Sequence, residues 1–427
     1  MIQSKFTSVI LLGLLSSANL YAENWQYKTR GYMFARLSSY TTEKSRNYGQ
    51  QARAQFEQTT DFGSSFYALN QLRWTSNSIN ADLNTGTSTL PKKDSFETYL
   101  GENYLKYKSD NWVIQLGYQE VVWGEAFGFN YADVISPKDL RETLYSDASD
   151  ARLPLMLFNG KTFFSSGDLS GSLQFLYSPE PRFSKTLPIE VYAGNLFNSG
   201  LILNVEKAQT PIMFKHTEMG GKFSASYSGL DLSLFGFSYL DRDAHYVLNS
   251  ATLAAVNLKE VHSHIKMGGL SLAKTISDFV LRTDIVITKD KIINYIENSQ
   301  LKNFTTDALN AVASIDSPTY DTYSGVLVFA KSSLKDILPN AFREKNEEYM
   351  IAKINKDFGS DKSWEFSYTH EFEHTGHSIQ TYLNWPINST TDLKLGGQFY
   401  FGDETSNLNK FKNISSVFCS LKNYFQL

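Results

Sequence analysis

Apolar and polar residues alternate with a period of two over stretches of eight to twelve residues, repeated from one end of this chain to the other. Trp112, Ile114, Leu116 and Tyr118 share one face, against Val113, Gln115, Gly117 and Gln119 on the other. Phe279, Leu281, Thr283, Ile285 and Ile287 form a second such row, with Arg282 and Asp284 opposite. Leu393, Leu395, Gly397, Phe399 and Phe401 oppose Lys394, Gly396, Gln398 and Tyr400. The stretches 25–38, 64–76, 96–107, 213–223, 262–273, 363–372, 378–386 and 414–425 read likewise, each as a strand. In 230–239 the phase slips between Leu234 and Phe235, which predicts a bulge or a bend.

Two architectures use such strands. In a soluble sandwich the apolar face turns inward; in a membrane barrel it meets lipid, with Trp, Tyr and Phe at the interfaces and a polar lumen. Here aromatics close the strands (Trp112 with Tyr118, Trp364 with Phe372, Phe399 with Phe401), while Arg282, Asp284 and Lys394 fall on the opposite face. Aromatics make up 14% of the 427 residues, yet hydrophobic residues reach only 42% and the mean hydropathy is −0.31, as a thin apolar band implies. The reading is an all-β transmembrane antiparallel barrel of about 14–16 strands, each about ten residues long. Polar stretches at 40–50, 77–95, 124–161, 179–210, 241–260, 290–317 and 331–347 read as external loops or lumen inserts. Within them, 298–314 and 331–347 have helical character.

The chain start fixes the compartment. Lys5, an apolar stretch from Phe6 to Leu15, and Ser16-Ser17-Ala18 ahead of Ala22 form a secretory signal over residues 1–22, leaving one barrel domain over 23–427. Beyond it no apolar run approaches the roughly 18–20 residues of a spanning helix, which excludes a helical transporter. The net charge is −4, and −5 without Lys5, so no nucleic-acid footprint appears. A single cysteine, Cys419, rules out disulfide scaffolds and clustered-cysteine metal sites; it falls on the expected lipid face of the last strand. That strand ends in Tyr424-Phe425, an aromatic end resembling the signal read by the barrel-assembly machinery, although Gln426-Leu427 follow it.

Two motifs compete for chemistry. His370-Glu371-Phe372-Glu373-His374 satisfies H-E-x-x-H, which on a helix places two histidines on one zinc ion. Here it continues an alternating strand, where residues four apart stand roughly 13 Å apart, too far for one metal. It reads as a decoy, and no metal or cofactor is expected; His377 nearby would add at most adventitious surface binding. The distinctive segment is instead 117–154, where a strand ends at Trp123-Gly124 and charges of both signs follow. Trp123, Val134, Ile135, Leu140, Leu153 and Leu155 need something to pack on, so the segment is read as folding into the lumen. Glu125, Asp133, Asp139, Arg141 and Arg152 are the candidate constriction residues, with the arginines pairing with Asp133, Asp139 or Glu125.

Those same residues carry a resemblance. The runs Gly117–Glu125 (GYQEVVWGE), Asp133–Glu142 (DVISPKDLRE), Ala151–Leu155 (ARLPL) and Leu176–Pro181 (LYSPEP) resemble the uncharacterised proteobacterial outer-membrane family catalogued as domain of unknown function 1302. So does the ending Gly402–Phe425; Ser136-Pro137 stands where members often carry Asn-Pro. The resemblance implies a Gram-negative outer-membrane barrel, sometimes linked to traffic of hydrophobic molecules alongside inner-membrane efflux pumps, and it supplies no catalytic residues. The partners this reading implies are outer-membrane lipid, periplasmic chaperones and the assembly machinery. The functional expectation is a channel or transporter for small solutes or hydrophobic molecules. A lipid-modifying barrel enzyme with a Ser–His pair, a closed structural or adhesive barrel and a soluble exported sandwich are the alternatives.

Overall fold

The computed structural model describes residues 26–40, 47–80, 93–140, 151–185, 202–209, 211–252, 255–298 and 300–426; the leader read over residues 1–22 lies outside them. The first strands are β1 (Gln26–Tyr40), β2 (Asn47–Asp61), β3 (Phe66–Asn80), β4 (Lys93–Lys108), β5 (Trp112–Gln119), β6 (Leu155–Ser166) and β7 (Leu169–Glu180). After β8 (Ile202–Glu206) come β9 (Glu218–Tyr227), β10 (Leu230–Leu240), β11 (His245–Ala251), β12 (Ala255–Val261), β13 (His264–Ile276) and β14 (Phe279–Glu297). The remainder are β15 (Gln300–Asp316), β16 (Tyr323–Leu334), β17 (Asn346–Gly359), β18 (Lys362–Glu371), β19 (Gly376–Asn388), β20 (Thr391–Gly402) and β21 (Ser416–Gln426). Eighteen of these form one antiparallel sheet, while β8, β12 and β11 form a separate three-stranded sheet. Pairing of β1 with β21, from Arg30 opposite Gln426 to Tyr40 opposite Ser416, closes the large sheet into a barrel.

The strand count exceeds the expected 14–16, and the excess lies where the sequence was read as loop. β6 begins inside 124–161, and β15 fills 300–316 of the stretch 290–317. In β15, Leu301, Phe304, Ala308, Leu309, Val312 and Ile315 recur at three- and four-residue spacing, which imitates a helix, yet the chain there is extended. Of 331–347, likewise read as helical, only the first residues end β16 and the last open β17; between them the backbone is irregular. The stretch 230–239 needs no bulge either: β10 pairs with β9 and β13 in unbroken register. Its apparent slip arises because both faces carry apolar residues, Leu234 pointing out and Phe235, Phe237 and Tyr239 buried within.

The two barrel ends differ. At one, hairpins close through two residues, such as Ser228-Gly229 and Ser360-Asp361, all four with positive φ as the primed turns of tight hairpins require. At the other, β5 leads into a long segment before β6, and the β8–β12–β11 sheet lies in the connections that follow β7 and β10. Outward positions are apolar, including Met33, Leu37, Leu116, Leu234, Ile287 and Val417. Cys419 is exposed in this row. Phe425 faces outward too: it lies opposite Gly31, which has no side chain to obstruct it, and its ring reaches Phe56 on β2 at 5.4 Å. The terminal aromatic thus spans the closing seam.

The cap at the long-loop end carries titrating groups. His262 stacks on Phe183 with ring centroids 3.7 Å apart, its Nδ1 2.7 Å from the Asp241 carbonyl. Burial pushes His262 and His245 below the usual histidine range, with mutual repulsion adding to His245. Both rings are therefore held neutral in the fold, while the unfolded chain takes up protons below about pH 6.5. Their contribution is complete above that pH and is lost as the pH falls. Asp243 stays charged through this window, because Lys291 and then Arg343 hold its carboxyl well below the carboxylate range, and its contribution is lost only in much stronger acid. The protection of β11 and β12 amides against hydrogen exchange, taken relative to the intrinsic rate at each pH, should fall from pH 7 to pH 5 while that of the barrel strands holds. Equal protection at both pH values would refute the assignment.

Candidate functional site: the segment folded into the barrel

After Gln119 the chain turns into the lumen and lies along its inner wall. Val121, Trp123, Ala132 and Ile135 pack into one buried cluster with Leu155, Leu157, Leu176, Phe235, Phe237, Tyr239, Ile265, Met267 and Val286. Trp123, 1% exposed, sits 5.6 Å from the Phe235 ring and 5.9 Å from Phe237. The inward aromatics of β10 are thus the platform that the segment's apolar residues needed. Further along, Ala126, Phe129 and Tyr131 pack against Val312, Val328 and Ala330, and Phe129 stacks on Tyr349 at 4.8 Å. The segment therefore lines the bore from β6 round to β17.

Polar pins fix its course. The Asp284 carboxylate on β14 accepts the backbone N–H groups of Glu125 (3.0 Å) and Ala126 (3.0 Å). Gly124 makes that approach feasible: its φ is +94°, and a Cβ there would stand 2.3 Å from Asn130 Oδ1 and 2.9 Å from Asp284 Oδ2. Ser136 Oγ accepts from Val121 N–H and donates to the Val121 carbonyl. Arg242, just beyond β10, donates to both carboxylate oxygens of Glu218 at 2.8 Å and to the carbonyls of Val134, Ile135 and Arg182. One guanidinium thus ties the barrel rim to the segment.

The five candidate constriction residues separate. Asp133, 4% exposed, accepts two hydrogen bonds from Arg152 (3.0 and 3.2 Å) and pairs with Lys138 at 3.1 Å. Beside this clasp, Lys138 and Arg152 form a backbone bridge. Asp139 lies 4.0 Å from Lys185 and bridges to it through the backbone. Arg141 lies outside the described residues. Glu125 lines a lumen cavity of about 610 Å³ near the short-turn end, with Lys222 3.8 Å away and Lys161 and a row of serines around it. Asp133 and Arg152 hold the segment together, and Glu125 faces open space.

Sequence reasoning named Asp284 only as a lumen-side polar residue and missed Arg242, Lys161 and Lys222. It also missed the wall opposite the segment, where Arg36, Arg53 and Arg73 are buried on adjacent strands β1, β2 and β3. Arg36 lies 5.0 Å from the rings of Phe34 and Phe418, and Arg73 donates to Gln55 Oε1 and to the Tyr99 hydroxyl. Their signal was present as arginines at alternate positions, inseparable by pattern alone from solvent-facing charge. The H-E-x-x-H motif is neither helical nor, as expected, an extended strand throughout: His370 and Glu371 end β18, while Phe372, Glu373 and His374 lie in the turn to β19, with Glu371 turned inward. Glu371 accepts from Ser406 Oγ, Asn407 N–H and Leu408 N–H and so anchors the last loop, while His370 faces His377 across the strand pair.

No protein-family model matches the chain, and no curated protein matches it in sequence. Solved structures do match in fold. OccAB3 of Acinetobacter baumannii superposes with a TM-score of 0.51 at 11% identity, covering 95% of this chain and 100% of its own. OccK8 (OprE) of Pseudomonas aeruginosa gives 0.50 at 10% identity, covering 95% and 99%. At these identities the likeness is one of architecture, and the chain is a closed eighteen-stranded antiparallel β-barrel with a segment folded into its lumen.

Proposed function

We propose that this barrel is an outer-membrane channel for small polar solutes, its bore narrowed by the inward segment. The carrying observation is the interior. Eighteen strands enclose a bore wider than wall side chains alone fill. Among the described residues, the inward segment lies against the β6–β17 wall, and polar groups line other parts of the bore: Arg36, Arg53, Arg73, Gln55 and Gln71 on one side, the serine- and lysine-lined cavity on the other. An interior evolved only for stability gains nothing from such charge, since an apolar core of the same volume would serve at lower desolvation cost. The export signal, the apolar outward belt and the seam-spanning Phe425 support placement in the outer membrane, with the short turns toward the periplasm. The resemblance to the domain-of-unknown-function family supports the same placement, and assembly by the barrel-assembly machinery, with Tyr424 and Phe425 as its signal, is part of this proposal.

Selection follows from electrostatics at close quarters. Glu125 beside Lys222, and arginines on the opposite wall, give solutes that carry charge or strong dipoles favourable contacts from both sides, while uncharged apolar molecules meet only desolvation cost. The purified barrel should migrate differently in gels when boiled and unboiled and should give discrete steps in planar bilayers. A heat-modifiable barrel that never conducts would sink the channel reading and favour the closed structural one.

A further inference from the structure

The cavity beneath the inward segment has an arrangement that a plain water-filled vestibule does not need. Lys161 on β6 and Lys222 on β9 both stand opposite Gln174 of β7, so three side chains occupy one level of three adjacent strands. Two strand spacings place the lysine backbones roughly 10 Å apart, a distance their side chains can close around one small solute. Gln174 between them is held: it accepts from Trp123 Nε1 at 3.1 Å and donates to Asn159 at 3.0 Å. The lysines are less committed. Lys161 pairs with no carboxylate among the described residues, its ammonium resting 5.0 Å from the Phe163 ring, and Lys222 meets Glu125 only at 3.8 Å.

Below that level the wall changes character. Ser172, Ser224, Ser226 and Ser233 line it, and hydroxyls serve equally as donors and acceptors. The acids other than Glu125, Asp110 and Asp231, lie at the short-turn rim, three and four residues before Val113 and Phe235, which stand level with the lysines. At roughly 3.3 Å per residue that separates their backbones from the lysine level by about 10–13 Å, and neither aspartate forms an ion pair with Lys161 or Lys222. The cavity is thus cationic at its inner end and hydroxyl-lined along its length.

We propose that this cavity is a binding subsite for a small polyhydroxylated carboxylate, of the sugar-acid class. Its carboxylate sits between Lys161 and Lys222 and its hydroxyls lie along the serine wall. Glu125 is the internal competitor: an arriving carboxylate takes its place at Lys222, and the half-exposed Glu125 side chain swings into water. The proposal rests on the channel reading for its purpose, but the site itself binds whether or not the barrel conducts.

The test uses the full barrel in detergent and gluconate as the probe, with equilibrium dialysis for binding and planar bilayers for conduction. Gluconate should bind, and glucose, which has the hydroxyls without the carboxylate, should bind far more weakly. Lys161→Gln with Lys222→Gln should weaken gluconate binding about tenfold or more, as the loss of charge-assisted contacts implies. Glu125→Gln should instead tighten it, because the competitor is gone; loss of folding cannot imitate a gain. Each variant is first shown to retain its heat-modifiable mobility. Gluconate binding that the lysine pair does not alter, or that Glu125→Gln weakens, overturns the subsite. Binding with the stated pattern in a barrel that never conducts keeps the subsite and removes the channel reading; conduction without gluconate binding does the reverse.

Discussion

Asp284→Ala is expected to give a barrel that still folds and inserts but conducts more, with noisy, fluctuating steps. The carboxylate lost is the one that accepts the Glu125 and Ala126 N–H groups at the point where the segment leaves the β6–β10 wall for β15 and β16. Leaving those donors without a partner costs about 1–3 kcal/mol, a small part of the stability of an eighteen-stranded barrel but a large part of what fixes one stretch of chain. Asp284→Asn retains an acceptor and should fall between wild type and alanine. Conductance and noise unchanged in Asp284→Ala would mean that the segment does not set the width of the bore.

Arg242→Met is expected to have the largest effect on stability. Glu218 is completely buried; Arg242 supplies the balancing charge and two hydrogen bonds from its guanidinium, and the Leu240 N–H donates a third. Removing one member of a buried pair leaves the other uncompensated, at a cost of about 3–5 kcal/mol. The carbonyls of Val134 and Ile135 lose their donor at the same time, so the damage should extend to the inward segment. The temperature at which the folded band converts on gels should drop markedly. Adding Glu218→Leu should recover much of the loss, because the pair is then gone rather than broken. No drop in the single variant would place the Glu218 charge in contact with water.

Much of the barrel was legible because lipid on one side and a polar bore on the other impose strict alternation. The inward segment was legible for a related reason: Trp123, Val134 and Ile135 in a charged stretch demanded a partner surface. What escaped notice follows from the limits of that logic. β10 looked bent because Phe235 and Phe237 turn inward toward Trp123, so its lumen face is as apolar as its lipid face. β15 looked helical because inward Ala308 and Val312, of which Val312 packs against the segment, interleave with outward Leu309 and Ile315 at three- and four-residue spacing. Both misreadings fall on strands that touch the segment, where the bore is locally a protein core. The anchors were out of reach for another reason: a lumen-facing Asp284 and a rim Arg242 have no local signature, since their partners lie 158–159 and 107–108 residues away in the chain.

Those separations also order events during folding. When β1 to β5 have formed, the segment that follows them has no acceptor for Glu125 and no donor for Ile135, because β10 and β14 belong to the second half of the chain. Contacts of such range close large loops and form late. The segment must therefore wait as loose chain inside a half-built sheet until strands synthesised long after it curl round and capture it. Its ordering thus follows the pairing of the strands from β6 to β17, so a barrel truncated or wrongly paired there would be left with a slack, leaky interior.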